Sequence, residues 1–174
     1  MEVLRMGTTS KDQSIKTDRE IKPLYIFDID GTLAFIEHRL NILKEENNPD
    51  KWKDFYKKCG DDKPNLPIIS IMQRLALTGA DIWFFTGRTE DVRDLTVEWL
   101  CKNTFDVIPV LPERLIMRQN GDFTPDHVLK EQWLNNMLDE DRNRLAAIFD
   151  DRDRVVEMWR NNGITCLQVA PGKF

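Results

Sequence analysis

The segment LYIFDIDGT, which runs from Leu24 to Thr32, decides the fold of this chain. Residues 24–29 form a nearly continuous apolar run, which is typical of a strand buried on both faces of a parallel sheet. Asp30-Gly31 then gives a turn signal. Since alternate strand residues share a face, the pattern predicts that the carboxylates of Asp28 and Asp30 point together where the strand ends.

Strands and helices alternate along the rest of the chain. Further apolar runs predict strands at residues 81–85, 107–111, 115–118, 145–149 and 164–169. Helical spacing predicts helices at residues 50–59, 67–78, 89–100, 124–138 and 154–162. Thr89 and Thr124 are the expected N-caps of two of these helices. Such an alternation predicts an α/β fold with a doubly wound parallel sheet.

The length of 174 residues suits one domain with a sizeable core. Residues 1–20 are polar and lack a sustained period, which predicts a flexible leader ahead of a domain over residues 21–174. Residues 35–66 are charged and aromatic, and they predict a small, helical, cap-like insert after the first strand. Within this insert, Trp52, Phe55 and Tyr56 share one helix face, where they either pack against the core or stack on a base.

Charge and composition narrow the possible functions. The net charge is −5, whereas proteins with an extended grip on nucleic acid are usually basic. We therefore expect no extended nucleic-acid footprint, although a nucleic acid end can still be the substrate. No apolar run is long enough to span a membrane, no secretory signal is present, and the three cysteines are widely spaced, as reduced thiols would be. These features predict a cytoplasmic protein without a membrane partner.

Polar clusters follow the apolar strands. They are Asp28 and Asp30 after the first strand, Thr86-Gly87-Arg88 after the second, and Asp150-Asp151 after a late one. In an open parallel sheet, ligands bind beyond the carboxyl ends of the strands, so these clusters should meet at one edge. Lys130 lies early in the helix before the late strand and could reach the same place.

These residue types suit phosphate chemistry around a metal ion. Crowded carboxylates repel each other unless a cation or a proton intervenes, and Mg²⁺ is the simple resolution. One carboxylate can then act as nucleophile and its neighbour as general acid/base. Thr86 and Lys130 would hold the phosphoryl oxygens. Gly87 would allow a tight turn that brings Arg88 to the substrate.

The DIDGT stretch, Asp28 to Thr32, resembles the DxDGT motif of the haloacid dehalogenase-like (HAD) phosphatases. Thr86, Lys130 and the Asp150-Asp151 pair stand in the order of the other three motifs of that superfamily. The chain is most similar to one branch, the 3′-phosphatase domain of bacteriophage polynucleotide kinase-phosphatase. The resembling stretches are FDIDGTLA, TGR, DHVLKE and DDRDRVVEMWRNNGITCLQVAPGKF. The likeness covers roughly residues 22–174 and is weakest in residues 35–66.

This resemblance implies a HAD-like Rossmannoid fold and an Mg²⁺-dependent phosphatase. Asp28 would form a phosphoaspartyl intermediate, and Asp30 would protonate the leaving oxygen and later activate water. The implied metal ligands are Asp28, the main-chain carbonyl of Asp30, and Asp150 or Asp151. The implied phosphate-binding residues are Thr86, Gly87 and Lys130, and the implied substrate-binding and supporting residues are Arg39, Arg88 and Asp126. The implied substrate is the 3′-phosphate of a nucleic acid end or nucleotide, in the host cytoplasm if a phage encodes the protein.

Alternatives remain open at this point. No G-x-x-x-x-G-K-[ST] stretch is present, so kinase activity is not expected. The acidic charge and the aromatic insert also allow a phosphatase of nucleoside 5′-monophosphates. A receiver-like signalling module would also combine acids, Thr and Lys around Mg²⁺, but Asp30 supplies the acid/base that only a true phosphatase requires. The side chains of Arg39, Arg88 and Arg118 could equally lie on the surface, and Asp126 could simply stabilise a helix start.

Overall fold

The computed structural model describes residues 21–104 and 108–172, so the expected leader of residues 1–20 lies outside the described part. Its strands are β1 (Leu24–Phe27), β2 (Ala34–Phe35), β3 (Lys63–Pro64), β4 (Asp81–Thr89), β5 (Leu115–Arg118), β6 (Leu145–Arg152) and β7 (Cys166–Gly172). Five of them form a parallel sheet in the order β5-β4-β1-β6-β7, and β2 and β3 form a small antiparallel pair. Because β1 lies at the centre, the ends of β4 and β6 flank it directly.

Helices connect the parallel strands and cover both faces of the sheet. They are α1 (Leu40–Leu43), α2 (Lys51–Lys57), α3 (Leu66–Leu77), α4 (Arg93–Thr104), α5 (Asp126–Asn135), α6 (Asp139–Asn143) and α7 (Asp153–Asn161). The predicted doubly wound α/β fold is therefore confirmed. Within the described ranges, no helix is long and apolar enough to cross a membrane.

Two hydrophobic cores lie on opposite faces of the sheet, and β1 contributes to both. Leu24 and Ile26 are fully buried in a core that also contains Trp159 of α7. Phe27 is buried in the other core, together with Trp99 of α4. Since successive strand residues point to opposite faces, a strand with helices on both sides must be apolar throughout. This packing explains the continuous apolar run at residues 24–29.

The segment between β1 and α3 carries the expected small insert, which contains α1, α2 and the β2–β3 pair. Phe55 and Tyr56 of α2 are buried in the same core as Phe27, so packing is confirmed for these two aromatic residues. Trp52 differs, because 43% of its surface stays exposed. The aromatic face of α2 is therefore split between the core and the solvent.

Several element boundaries differ from the predictions. Residues 108–111 do not form a strand, and residue 107 lies outside the described part. Pro109 and Pro112 explain this difference, because proline cannot donate to a strand ladder. Helix α5 ends at Asn135 rather than Leu138, where two asparagines with low helix propensity, Asn135 and Asn136, meet.

The expected cap at Thr124 is wrong, and Thr89 is an N-cap only of the 3₁₀ turn before α4, without a side-chain capping bond. Thr89 is the last residue of β4, and a 3₁₀ turn over Glu90–Val92 separates it from α4. The N-cap of α5 is Pro125 rather than Thr124, whose amide donates instead to the carboxylate of Asp122 at 2.8 Å. In both cases the threonine belongs to a local turn that precedes the helix.

Candidate active site

Strand β1 ends at Phe27, and a tight turn follows it. The carbonyl of Ile29 accepts hydrogen bonds from the amides of Thr32, Leu33 and Ala34 at 3.2, 2.9 and 2.9 Å. Gly31 has a φ of +89°, and a Cβ at this position would lie 2.3 Å from Oδ2 of Asp151. Glycine is therefore needed here both for its backbone conformation and because the acidic end of β6 approaches so closely.

Asp28 follows β1 directly and is paired with a buried lysine. The Nζ atom of Lys130, on α5, donates to Oδ1 of Asp28 at 2.7 Å and to Oδ2 of Asp150 at 2.8 Å. Burial alone would lower the pKa of Lys130, but the carboxylates of Asp150 and Asp28 outweigh it and raise the pKa above its usual range. The lysine thus stays charged and brings α5 to the ends of β1 and β6, as the sequence predicted.

Three buried carboxylates gather around this lysine. Oxygens of Asp28, Asp150 and Asp151 lie within 4.8 Å of one another. Burial raises the pKa of Asp28 well above its ordinary value, and Asp150 and Asp151 raise it further against the opposing effect of Lys130. Burial and the neighbouring Asp150 also raise the pKa of Asp151 to about 7. The group carries more negative charge than one ammonium can neutralise.

The donor set of this group fits a hard divalent cation. Both oxygens of Asp150 accept hydrogen bonds within the protein, one from Lys130 and one from the amide of Arg152 at 3.2 Å. In contrast, Oδ1 of Asp151 is buried and has no hydrogen-bond partner among residues 21–104 and 108–172. A buried, unpaired carboxylate oxygen costs free energy unless an ion binds it. Asp151 is therefore the better direct ligand of the two acids that the sequence left open.

Asp30 has a different set of neighbours from Asp28. Its Oδ1 accepts a bond from Nη2 of Arg39 at 2.7 Å and one from Nε of Arg88 at 2.8 Å. The expectation that the two carboxylates point together was based on strand alternation, which stops at Phe27. Burial alone would raise the pKa of Asp30, but Arg88 and Arg39 outweigh it and lower the pKa below its ordinary value.

Asp62, in the insert, completes this network and was not predicted from the sequence. Its carboxylate accepts bonds from Nε and Nη2 of Arg39 at 2.8 and 2.7 Å and from Nη2 of Arg88 at 2.8 Å. His38 lies 2.8 Å from the same carboxylate. The only sequence signal was general: two arginines beside one acid need a second acid nearby if they are buried.

Thr86, Gly87 and Asp126 lie next to one another beside β1. Thr86, in β4, is fully buried, and its hydroxyl accepts a 3.3 Å hydrogen bond from the amide of Arg88. A Cβ on Gly87 would lie 2.9 Å from Oδ1 of Asp126, so glycine leaves room for this carboxylate. Asp126 in turn forms close ion pairs with Arg118 and Arg152. Asp126 therefore does more than stabilise the start of α5.

A cavity of about 370 Å³ opens beside Asp126 and Arg152. Trp52 and Tyr56 of the insert and Phe123, from the loop between β5 and α5, contribute its aromatic lining. The sequence had not singled out Phe123 or Arg152. No strand pattern marks a loop residue such as Phe123, and Arg152 is one of several arginines near the C-terminus.

Comparisons with known proteins settle the family. The model of the polynucleotide kinase PNKP phosphatase domain, a HAD-type domain, matches residues 22–174. The chain belongs to the PNKP phosphatase-domain family. The resemblance found in the sequence is thus confirmed, and the chain is a HAD-type phosphatase rather than a receiver-like signalling module.

Individual relatives of this PNKP-family chain are mostly longer proteins. A putative bifunctional polynucleotide kinase/RNA ligase of Autographa californica nuclear polyhedrosis virus is 31% identical over 135 residues, which are 77% of this chain and 17% of the viral protein. A chain in the Pnkp1/Rnl/Hen1 RNA repair complex has a TM-score of 0.69 and 26% identity, over 94% of this chain and 48% of that chain. The class C acid phosphatase from Bacillus anthracis, with tungstate bound, shares the fold, with a TM-score of 0.59 and 15% identity over 90% of this chain and 69% of that one.

Proposed function

We propose that this PNKP-family domain removes the 3′-phosphate from nucleic acid ends in an Mg²⁺-dependent reaction through a phosphoaspartyl intermediate. The observation that carries the proposal is the buried group of Asp28, Asp150 and Asp151 around Lys130. This group would supply a nucleophile, a charge-neutralising lysine and a cation-binding acid at the end of the central strand.

The metal would be held by the carboxylates of Asp28 and Asp151, beside Asp150 and the main-chain carbonyl of Asp30. The unpaired Oδ1 of Asp151 supports this assignment. When bound, Mg²⁺ neutralises the crowded carboxylates and the incoming phosphate and favours in-line attack. Asp150 would orient Lys130 and would contribute to the metal site through its charge.

In the first chemical step, a carboxylate oxygen of Asp28 attacks phosphorus, and the bond from phosphorus to the 3′-oxygen breaks. The side chains of Thr86 and Lys130 and the amide of Gly87 would stabilise the charge that develops on the phosphoryl oxygens. Asp30 would give its proton to the leaving 3′-oxygen. Both arginine bonds end on Oδ1 of Asp30, so Oδ2 can carry the transferable proton.

In the second step, Asp30 would take a proton from water, and the water oxygen attacks phosphorus. The bond between phosphorus and Asp28 then breaks, inorganic phosphate leaves, and the carboxylate is restored. The lowered pKa of Asp30 favours the ionised form, which suits this base role and opposes the acid role in the first step. Arg39 and Arg88 would act on the substrate mainly through Asp30, since both are buried and bonded to it and to Asp62.

A nucleic acid 3′-end is the substrate that the family and the site favour together. The polynucleotide kinase relatives act on polynucleotides by name, and one similar chain is part of an RNA repair complex. Beside the carboxylates, Arg118 and Arg152 bracket Asp126 at the edge of the cavity. Asp122 also lines the cavity, so two arginines balance two acids there, and the two guanidiniums are the groups that would face an anionic nucleotide.

Phosphate release with Mg²⁺ tests the proposal on a 3′-phosphorylated oligonucleotide, a nucleoside 3′-monophosphate and a nucleoside 5′-monophosphate. We expect preference for the oligonucleotide, and loss of at least 1,000-fold in kcat for Asp28→Asn. Acid quenching with substrate labelled in the phosphate should trap label on the wild-type protein and none on Asp28→Asn. Asp54→Asn, a change at an exposed acid of the insert, is the matched control. Preference for the 5′-monophosphate would make the domain a nucleotide phosphatase instead.

A further inference from the structure

Two of the aromatic residues that line the cavity beside the active site are exposed to solvent, and they come from distant segments of the chain. Trp52 comes from α2 of the insert and is 43% exposed, and Phe123 comes from the loop before α5 and is 85% exposed. Exposed large aromatic side chains that line one cavity usually mark a binding surface. Neither ring takes part in the proposed chemistry at Asp28.

The Trp52 ring and the loop that carries Phe123 are held in place before any ligand arrives. The Trp52 ring lies 5.9 Å from the Phe55 ring, edge to face, and 6.0 Å from the Tyr56 ring, measured between centroids. Arg118 donates to the carbonyls of Asp122 and Thr124, at 3.2 and 2.6 Å. These two carbonyls flank Phe123, so a buried arginine fixes the loop that displays it. A pre-organised surface of this kind loses little conformational entropy on binding.

Two residues of the cavity lining, Asp126 and Arg152, lie next to the residues of the proposed chemistry. Arg152 follows the metal-binding Asp151 in β6, and Asp126 lies against Gly87 of the phosphate-binding turn. A ligand whose phosphate lies at Asp28 would therefore place its next group in this cavity. The volume, about 370 Å³, falls at the small end of the range for small-molecule sites, which is roughly 300–1,000 Å³.

The geometry points to a base-binding site: the base of the nucleotide that bears the 3′-phosphate stacks in this cavity against Trp52 and Phe123. This inference rests on the proposed function and adds to it the part of the substrate that is recognised. Every base presents a π-face, so stacking recognises a base without reading its identity. The cavity thus favours a nucleotide end over a simple phosphate ester, with little preference among bases.

Two oligonucleotides with a 3′-phosphate test the inference, one with a normal terminal nucleotide and one whose terminal nucleotide lacks its base. We expect wild-type protein with Mg²⁺ to prefer the normal end about tenfold or more in kcat/KM, mainly through KM. Trp52→Ala and Phe123→Ala should each reduce that preference, whereas Trp52→Phe and Phe123→Tyr should keep most of it. Leu77→Ala, at a residue that is 67% exposed and outside the cavity, should leave the preference unchanged.

The outcomes separate this inference from the proposed function. Equal kcat/KM for both oligonucleotides in the wild type, or an unchanged preference in both alanine variants, would overturn base stacking while leaving the phosphatase intact. If the protein released phosphate from neither oligonucleotide, the proposed function would be overturned together with the inference that rests on it. Thermal unfolding of each variant shows whether its fold is kept, which the high exposure of Phe123 leads us to expect.

Discussion

Removing the carboxylate of Asp62 is the sharpest test of how the insert supports the site. Asp30, Arg39, Arg88 and Asp62 carry two negative and two positive charges in a buried, neutral network. Asp62→Ala leaves two guanidiniums facing only Asp30, and breaking a buried pair in this way costs about 3–5 kcal/mol. That loss is a large fraction of the roughly 5–15 kcal/mol by which most domains are stable. Asp62→Asn keeps the shape of the side chain and removes its charge alone.

Urea unfolding followed by circular dichroism measures the free energy of unfolding of these variants. Asp54→Ala is the matched control, because the pair of Asp54 with Lys57 is 3.8 Å long and exposed, and such pairs contribute under about 1 kcal/mol. In folded Asp62→Asn we also expect kcat to fall about tenfold to 100-fold with a similar KM, since a misplaced Asp30 transfers protons poorly. If Asp62→Ala lost no more stability than Asp54→Ala, the network would have no structural role.

The metal and the thiols give two further predictions. Mg²⁺ at about 100 times its Kd should stabilise the fold by roughly 2.7 kcal/mol, which raises Tm by about 5–10 °C in a thermal scan. Asp151→Asn should abolish this shift in Tm. An equal shift in the variant would exclude Asp151 as a ligand. Burial raises the pKa of Cys59 and raises that of Cys166 to about 12, so a thiol reagent should modify Cys101 first. Cys101→Ser should remove the fast phase of thiol modification. Equal modification rates for all three cysteines would contradict the packing.

The sequence predicted those parts of the molecule that depend on local pattern and strand topology. The run at residues 24–29 indicated a central strand, and the acids after residue 149 indicated a second strand end at the same edge. Lys130 could be assigned because a parallel sheet brings the start of α5 to that edge. Each of these inferences needs only one strand or helix and the direction in which it runs.

The remaining features depend on contacts between distant segments, which no local pattern encodes. Asp62 lies in a 3₁₀ turn and loop region, and its role arises only because Arg39 and Arg88 are buried against it. Asp28 and Asp30 have different hydrogen-bond partners, and the turn at Ile29, whose carbonyl accepts three amide bonds, lies between them. Strand alternation predicted a common direction for these acids because it takes no account of where a turn begins.

Under the proposed function, the insert would link catalysis to substrate choice within one short segment. Asp62 bonds to Arg39 and Arg88, which in turn hold Asp30, whereas Trp52 lines the cavity. The buried carboxylate is constrained by four donors from three side chains, so few substitutions preserve it. The exposed tryptophan has no such constraint and can change without disturbing the charges around Asp30. Under the proposed function, the insert could therefore alter what is bound while it keeps the geometry of the reaction.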